Sequence, residues 1–125
     1  MGQQTRPLQG KKLLIVEDEP TVAMEYSATL SSAGAQAVTV VRTVARAIDC
    51  VREGRVDAAV VDYVLGDRNS TTLQTMLEEK HIPFVVVSGY PPVLVRTGRD
   101  QRVLHKPVTP DHLCAALVAA CEGER

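Results

Sequence analysis

Tryptophan is missing from this 125-residue chain, and aromatic residues make up only 3% of it. Any core must therefore be assembled from Val, Leu, Ile and Ala. An excess of either charge is also missing: 14 basic residues face 15 acidic ones, for a net charge of -1. A nucleic-acid-binding domain would show a basic excess or a basic stripe, so no nucleic-acid partner is expected. The cysteines number only three and lack CxxC spacing, which excludes a disulfide framework and a structural zinc site. Cys114 and Cys121, seven apart on one prospective helix, read as small apolar packing residues. Reduced thiols suit a cytoplasmic location.

No apolar run approaches the ~20 residues that a membrane-spanning helix needs, so no membrane association is expected. The opening stretch lacks a signal-peptide core, and Arg6 stands where a myristoylation pattern wants Ser or Thr. Residues 1–10 read as a disordered lead-in to a single domain over 11–125. That size suits one compact domain, and 45% hydrophobic residues suffice for its core.

Within that domain two periods alternate. Lys12–Glu17 is a continuous apolar run ending in acid, as expected of a strand buried on both faces. Pro20 then opens a helix with Val22, Tyr26, Leu30 and Ala33 at helical spacing, stopped by Gly34. Ala37–Val41 is a second strand. Thr43 caps a helix striped by Val44, Ala47, Ile48 and Val51. Val56–Asp62 is a third strand, again ending in acid, followed by a short helix from about Ser70 with Leu73, Met76 and Leu77. Pro83–Ser88 and Arg102–His105 are the fourth and fifth strands, and a last helix begins at Thr109 and Pro110. Gly89–Gln101 has two prolines, a glycine and β-branched residues; it is expected to be mobile, with one short helical turn or none. Strands alternating with helices imply right-handed crossovers and a five-stranded parallel sheet, doubly wound with helices on both faces. Ligands of such sheets bind at the carboxyl ends of the strands.

Polar residues converge on that edge: Glu17 and Asp18 after the first strand, Asp62 ending the third, Ser88 ending the fourth, and Lys106 after the fifth. Three carboxylates brought together repel one another and favour a proton or a hard cation, and Mg2+ is the natural choice where phosphate oxygens complete the shell. Asp62 is the candidate nucleophile, because a carboxylate can form an acyl phosphate. Lys106 supplies positive charge for the phosphoryl oxygens and Ser88 a hydroxyl donor. Other polar residues read more plainly. Asp57, at the opposite end of the third strand, is expected to cap or face solvent. Asp67, with Gly66, Arg68 and Asn69, reads as turn chemistry. His105 is expected to pack on the sheet, and His81, His105 and His112 lack metal-ligand spacing.

The motifs L-L-I-V-E-D-E-P, A-V-V-D-Y-V-L-G-D, V-V-V-S-G-Y and H-K-P-V together resemble a bacterial two-component response-regulator receiver domain, from about Lys12 onward. The resemblance implies a flavodoxin-like, CheY-like α/β fold. It makes Glu17 and Asp18 the metal-binding acidic pair, Asp62 the phosphoacceptor, Ser88 the switch hydroxyl and Lys106 the phosphoryl-contacting lysine. It adds the carbonyl of Val64 as a metal ligand. Mg2+ is the implied cofactor. A sensor histidine kinase and a downstream protein or phosphorelay component are the implied partners of a monomer or weak dimer without its own output domain.

Two departures stand out. Val103 occupies a position that often carries an aromatic switch residue, leaving Tyr90 to take a related role. The short interval from Ser88 to Lys106 fits a short or missing fourth helix, and S-G-Y-P-P resembles a subgroup of single-domain regulators. Two other classes remain open. A phosphorylation-independent interaction module would be expected to lose acceptor or metal residues. A phosphatase of the haloacid-dehalogenase type wants a second acid where Val64 stands.

Overall fold

The structure, a computed structural model, describes residues 8–66, 68–89 and 102–123. Its centre is a parallel sheet of five strands in the order β2 (Ala37–Val41), β1 (Lys12–Val16), β3 (Ala58–Asp62), β6 (Phe84–Ser88) and β7 (Arg102–His105). The three inner strands are almost wholly buried and correspondingly rich in Val, Leu, Ile and Ala, as a sheet covered on both faces requires.

The pleat divides each inner strand between two cores. Leu13, Ile15, Ala58, Val60, Val85 and Val87 point toward α1 (Pro20–Ser32) and α4 (Pro110–Gly123), meeting Tyr26, Leu30, Leu113 and Leu117. Leu14, Val16, Ala59, Val61, Phe84 and Val86 point toward α2 (Val44–Arg52) and α3 (Thr71–Glu79), meeting Ala47, Val51, Leu73 and Leu77. A one-residue slip of any strand would exchange these two sets, so packing on both sides fixes the register.

Local chemistry sets the helix starts. The Thr43 hydroxyl accepts from Arg46 N at 3.1 Å, and the Thr109 hydroxyl accepts from His112 N at 3.1 Å. Pro20 stands at the start of α1, where its missing N–H costs nothing. Asp57 works at the amino end of the sheet, its Oδ2 accepting from Lys12 N at 2.7 Å, the capping role expected of it.

Two findings fall beyond the expectations. Leu8 is fully buried against the α1 and α4 core, and its amide donates to Ala33 O at 3.1 Å. The packed chain therefore begins at least three residues before Lys11; residues 1–7 of the expected lead-in lie outside the described residues. The segment after Asp62 forms a small antiparallel hairpin, β4 (Val64–Leu65) with β5 (Arg68–Asn69), and Asp67, read as turn chemistry, lies outside the described residues. Residues 90–101, with Tyr90 and the expected short or missing fourth helix, lie outside the described residues.

Cys50, Cys114 and Cys121 are free thiols packed beside the cores. Among the described residues no helix is long and apolar enough to cross a membrane.

Candidate functional site

Parallel strands deliver their last residues to a common rim. β1 hands on Glu17 and Asp18, β3 ends in Asp62, β6 ends in Ser88, and Lys106 follows β7. Backbone bonds hold these ends level: Glu17 N donates to Val41 O at 3.0 Å, Tyr63 N to Val87 O at 2.8 Å, and Lys106 N to Ser88 O at 2.9 Å. The strand order reverses between β1 and β3, which is where open α/β sheets leave a crevice.

Glu17, Asp18 and Asp62 each place a carboxylate oxygen within 4.8 Å of the others. Glu17 is 2% exposed and Asp62 5%. Lys106 Nζ lies 3.2 Å from Asp62 Oδ1 and 3.6 Å from Glu17 Oε1. Two further oxygens accept from amides: Glu19 N donates to Glu17 Oε2, and Gly66 N donates to Asp18 Oδ2, both at 3.0 Å. Among the described residues Glu17 Oε1 is buried with the Lys106 ammonium at 3.6 Å but no hydrogen bond.

The electrostatics follow. Burial pushes the Asp62 carboxyl up, and the hydrogen bond and negative charge of Glu17 push it further, to about 7; Lys106 pulls it back only partly. For Lys106, burial works against the charge, but Asp62 and Glu17 outweigh it and hold the ammonium above its ordinary range. The Tyr26 phenol, on α1, is raised by burial and then by Glu17 and Asp62.

An all-oxygen donor set with three carboxylates against one ammonium, and one buried oxygen lacking a hydrogen bond, fits a hard divalent cation. Beside it lies a cavity of about 260 Å³ lined by Asp62, Val64, Val87, Ser88, Gly89 and Lys106. The nucleophile candidate, the hydroxyl and the ammonium thus open onto one space. Tyr90 is outside the described residues. His105 is exposed, so it does not pack within the sheet as expected.

Ser70, which reads in the sequence only as a helix start, and Gln74 bear on the site through the backbone. The Ser70 hydroxyl donates to the Asp62 carbonyl at 2.7 Å and makes a longer contact of 3.3 Å to that of Tyr63. Gln74 Nε2 donates to Ser70 Oγ at 3.2 Å. Positions 70, 73, 74 and 77 fall on one helical face, so two polar residues interrupting the Leu73–Leu77 stripe were the available signal.

Residues 13–118 match the response regulator receiver domain family. Among solved structures the chain is similar to SdrG from Sphingomonas melonis Fr1, at 38% identity and a TM-score of 0.77, covering 90% of this chain and 97% of that one. It is also similar to a PhyR mutant from Bartonella quintana, described as an anti-anti-sigma factor, at 25% identity and a TM-score of 0.78. That match covers 95% of this chain and 52% of the other. Among curated proteins, the Phyllosphere-induced regulator PhyR of Methylorubrum extorquens is 25% identical over 114 residues. These are 87% of this chain and 43% of that protein, so the chain spans less than half the length of that relative.

Proposed function

The chain belongs to the response regulator receiver domain family, and from that premise we propose that Asp62 accepts a phosphoryl group from a sensor histidine kinase in a Mg2+-dependent reaction. One observation carries the reading: a buried carboxylate at the end of the central strand, beside two further acids, with an ammonium 3.2 Å away.

In the reaction an Asp62 carboxylate oxygen attacks phosphorus in line. The new O–P bond forms as the P–N bond to the donor imidazole breaks, and the imidazole departs after taking a proton from solvent. The attacking group must be ionised, and Lys106 is the neighbour that favours ionisation. Lys106 also meets the negative oxygens of the transferred group, and Ser88 donates its hydroxyl to one of them. Glu17, Asp18, Asp62 and the Val64 carbonyl would hold Mg2+, which when bound offsets charge on the phosphoryl oxygens. In this reading the protein catalyses only its own phosphorylation and dephosphorylation.

The acyl phosphate carries roughly -2 of charge where the carboxylate carried -1, so the pocket gains about one negative charge and three further acceptor oxygens. Ser88 and Lys106 move toward it, and Tyr90 takes the switch role on its sequence position alone. The message then passes by contact with another protein in the cytoplasm. The anti-anti-sigma description of the Bartonella relative makes an anti-sigma factor the downstream candidate, although this chain covers only about half of that protein.

The test is intact mass after incubation with Mg2+ and acetyl phosphate, for the wild type and Asp62→Asn. A gain of one phosphoryl group that needs Mg2+ and vanishes in the variant is the expected result. No adduct, together with failure of beryllofluoride trapping, would return the chain to the interaction-module reading.

A further inference from the structure

Ser70 stands immediately before α3, where a serine usually accepts a hydrogen bond from an amide two or three residues on. It makes no such bond. Asn69 does the local work instead, its Oδ1 accepting from Thr71 N at 3.1 Å and from Thr71 Oγ1 at 2.6 Å. The Ser70 hydroxyl turns the other way and donates to the Asp62 carbonyl at 2.7 Å. The Ser70 amide adds a bond to the Tyr63 carbonyl at 2.8 Å.

Gln74, one turn along the helix, donates from Nε2 to the Ser70 hydroxyl. Amide, hydroxyl and carbonyl form a chain in which each bond polarises the next. Both side chains are buried, on the helix face that Leu73 and Leu77 commit to the core. Polar groups are costly there unless bonded; the Ser70 hydroxyl is spent on the backbone of the two residues preceding Val64, and Gln74 Nε2 on Ser70, while among the described residues Gln74 Oε1 has no hydrogen-bond partner.

We propose that Ser70, braced by Gln74, is a positioning residue for the cation-binding oxygens of Asp62 and Val64. Its two bonds fix the peptide planes on either side of Tyr63. They thereby set the direction in which the Asp62 carboxylate leaves the strand and the line along which the chain enters Val64, whose carbonyl lies in the next peptide plane. The hairpin that follows is held at its far end by Asp18 through Gly66 N, so the segment between is fixed at both ends. This inference rests on the proposed Mg2+-dependent phosphoacceptor reading and deepens it.

The experiment compares the full chain with Ser70→Ala, Ser70→Thr, Gln74→Leu and Leu77→Ala. Mg2+ affinity is read from calorimetry, the Mg2+ dependence of phosphorylation by acetyl phosphate from intact mass, and Tm from thermal unfolding. Ser70→Ala is expected to weaken Mg2+ binding roughly 10-fold, the scale seen when a group orienting a metal ligand is removed. The Mg2+ needed for half-maximal phosphorylation rises by the same factor, and saturating Mg2+ restores the yield. Ser70→Thr keeps the hydroxyl and stays near wild type. Leu77→Ala lowers Tm but leaves Mg2+ affinity alone, because it loosens α3 without touching the chain of bonds.

Wild-type Mg2+ affinity in Ser70→Ala would overturn the proposal, as would loss of affinity in Leu77→Ala in step with its Tm. Should Ser70→Ala not fold, Gln74→Leu carries the test: it removes the brace, fills the space with an apolar side chain, and is expected to lose affinity to a smaller degree. Unchanged affinity there counts against the proposal. A wild type that binds Mg2+ and weakens on Ser70→Ala, but takes no phosphoryl group, would sink the phosphoacceptor reading and leave the Ser70 assignment standing. A wild type that binds no Mg2+ would end both.

Discussion

Lys106 Nζ lies 3.2 Å from one oxygen of Asp62 and 3.4 Å from the other, so a single ammonium straddles the carboxylate. Burial and Glu17 both push that carboxyl up, and Lys106 is what draws it down. Replacing the ammonium by an apolar chain of similar length, Lys106→Met, therefore moves the Asp62 midpoint further up, by about one unit on the scale of a close opposite charge. Carbon-13 NMR of the Asp62 carboxyl in metal-free protein would follow it. Phosphorylation at neutral pH should slow in parallel. An unmoved midpoint would mean that solvent already screens Lys106, whose side chain is 34% exposed.

Asp62 also makes stability depend on pH. Its carboxyl is raised from an ordinary value of 3.8 to about 7, so between those values the folded chain holds a proton that the unfolded chain has lost. The contribution is fully present below the unfolded value and disappears as pH rises through the folded one. Metal-free protein is therefore expected to melt lower near pH 8 than near pH 5 on account of this group. Asp62→Asn should remove that difference and raise Tm at the higher pH, and Mg2+ should narrow it in the wild type. Thermal unfolding with and without EDTA reads all three; a flat wild-type profile would contradict the raised carboxyl.

Asp18 has a double task, facing the acidic cluster while Oδ2 accepts from Gly66 N. Asp18→Asn separates the two. The amide oxygen can still accept from Gly66, but one negative charge is gone. Mg2+ affinity is expected to fall by roughly 10-fold or more, while metal-free Tm holds or rises because repulsion within the cluster is relieved. Calorimetry beside thermal unfolding tests this, and a large drop in metal-free Tm would show that the hairpin needs the charge itself.

Most of the sheet is legible in the sequence because β1, β3 and β6 are buried on both faces and so read as unbroken apolar runs ending in Glu17, Asp62 and Ser88. The acidic cluster is legible for the same reason, since charged residues at the ends of such runs stand out. The hairpin after Asp62 is not: its strands are two residues each, shorter than any alternation can register, and Gly66 with Asn69 suits an ordinary turn equally well. Leu8 is an isolated apolar residue between Pro7 and Gln9, and only the α1 and α4 core explains its burial. His105 follows Leu104 in an alternating strand, and its outward side is decided by register, not residue type. Ser70 and Gln74 are hidden most thoroughly, because their partners are backbone carbonyls and each other.

Gly66 offers a separate handle on how the hairpin holds Asp18. Its φ is +66°, in the left-handed region, and a Cβ added there would meet nothing within 4 Å. Substitution costs are therefore those of the backbone alone. Gly66→Ala should lose about 1 kcal/mol, which is about 4 °C in Tm for a domain of this size. Gly66→Asn should lose less, since asparagine tolerates that conformation. Both retain the amide that donates to Asp18, so Mg2+ affinity should stay close to wild type. Gly66→Pro removes the donor and cannot adopt the positive φ; it should lose stability and weaken Mg2+ binding together. If Gly66→Ala weakened Mg2+ as much as Gly66→Pro does, the shape of the turn, and not the Asp18–Gly66 hydrogen bond, would be what orients the carboxylate.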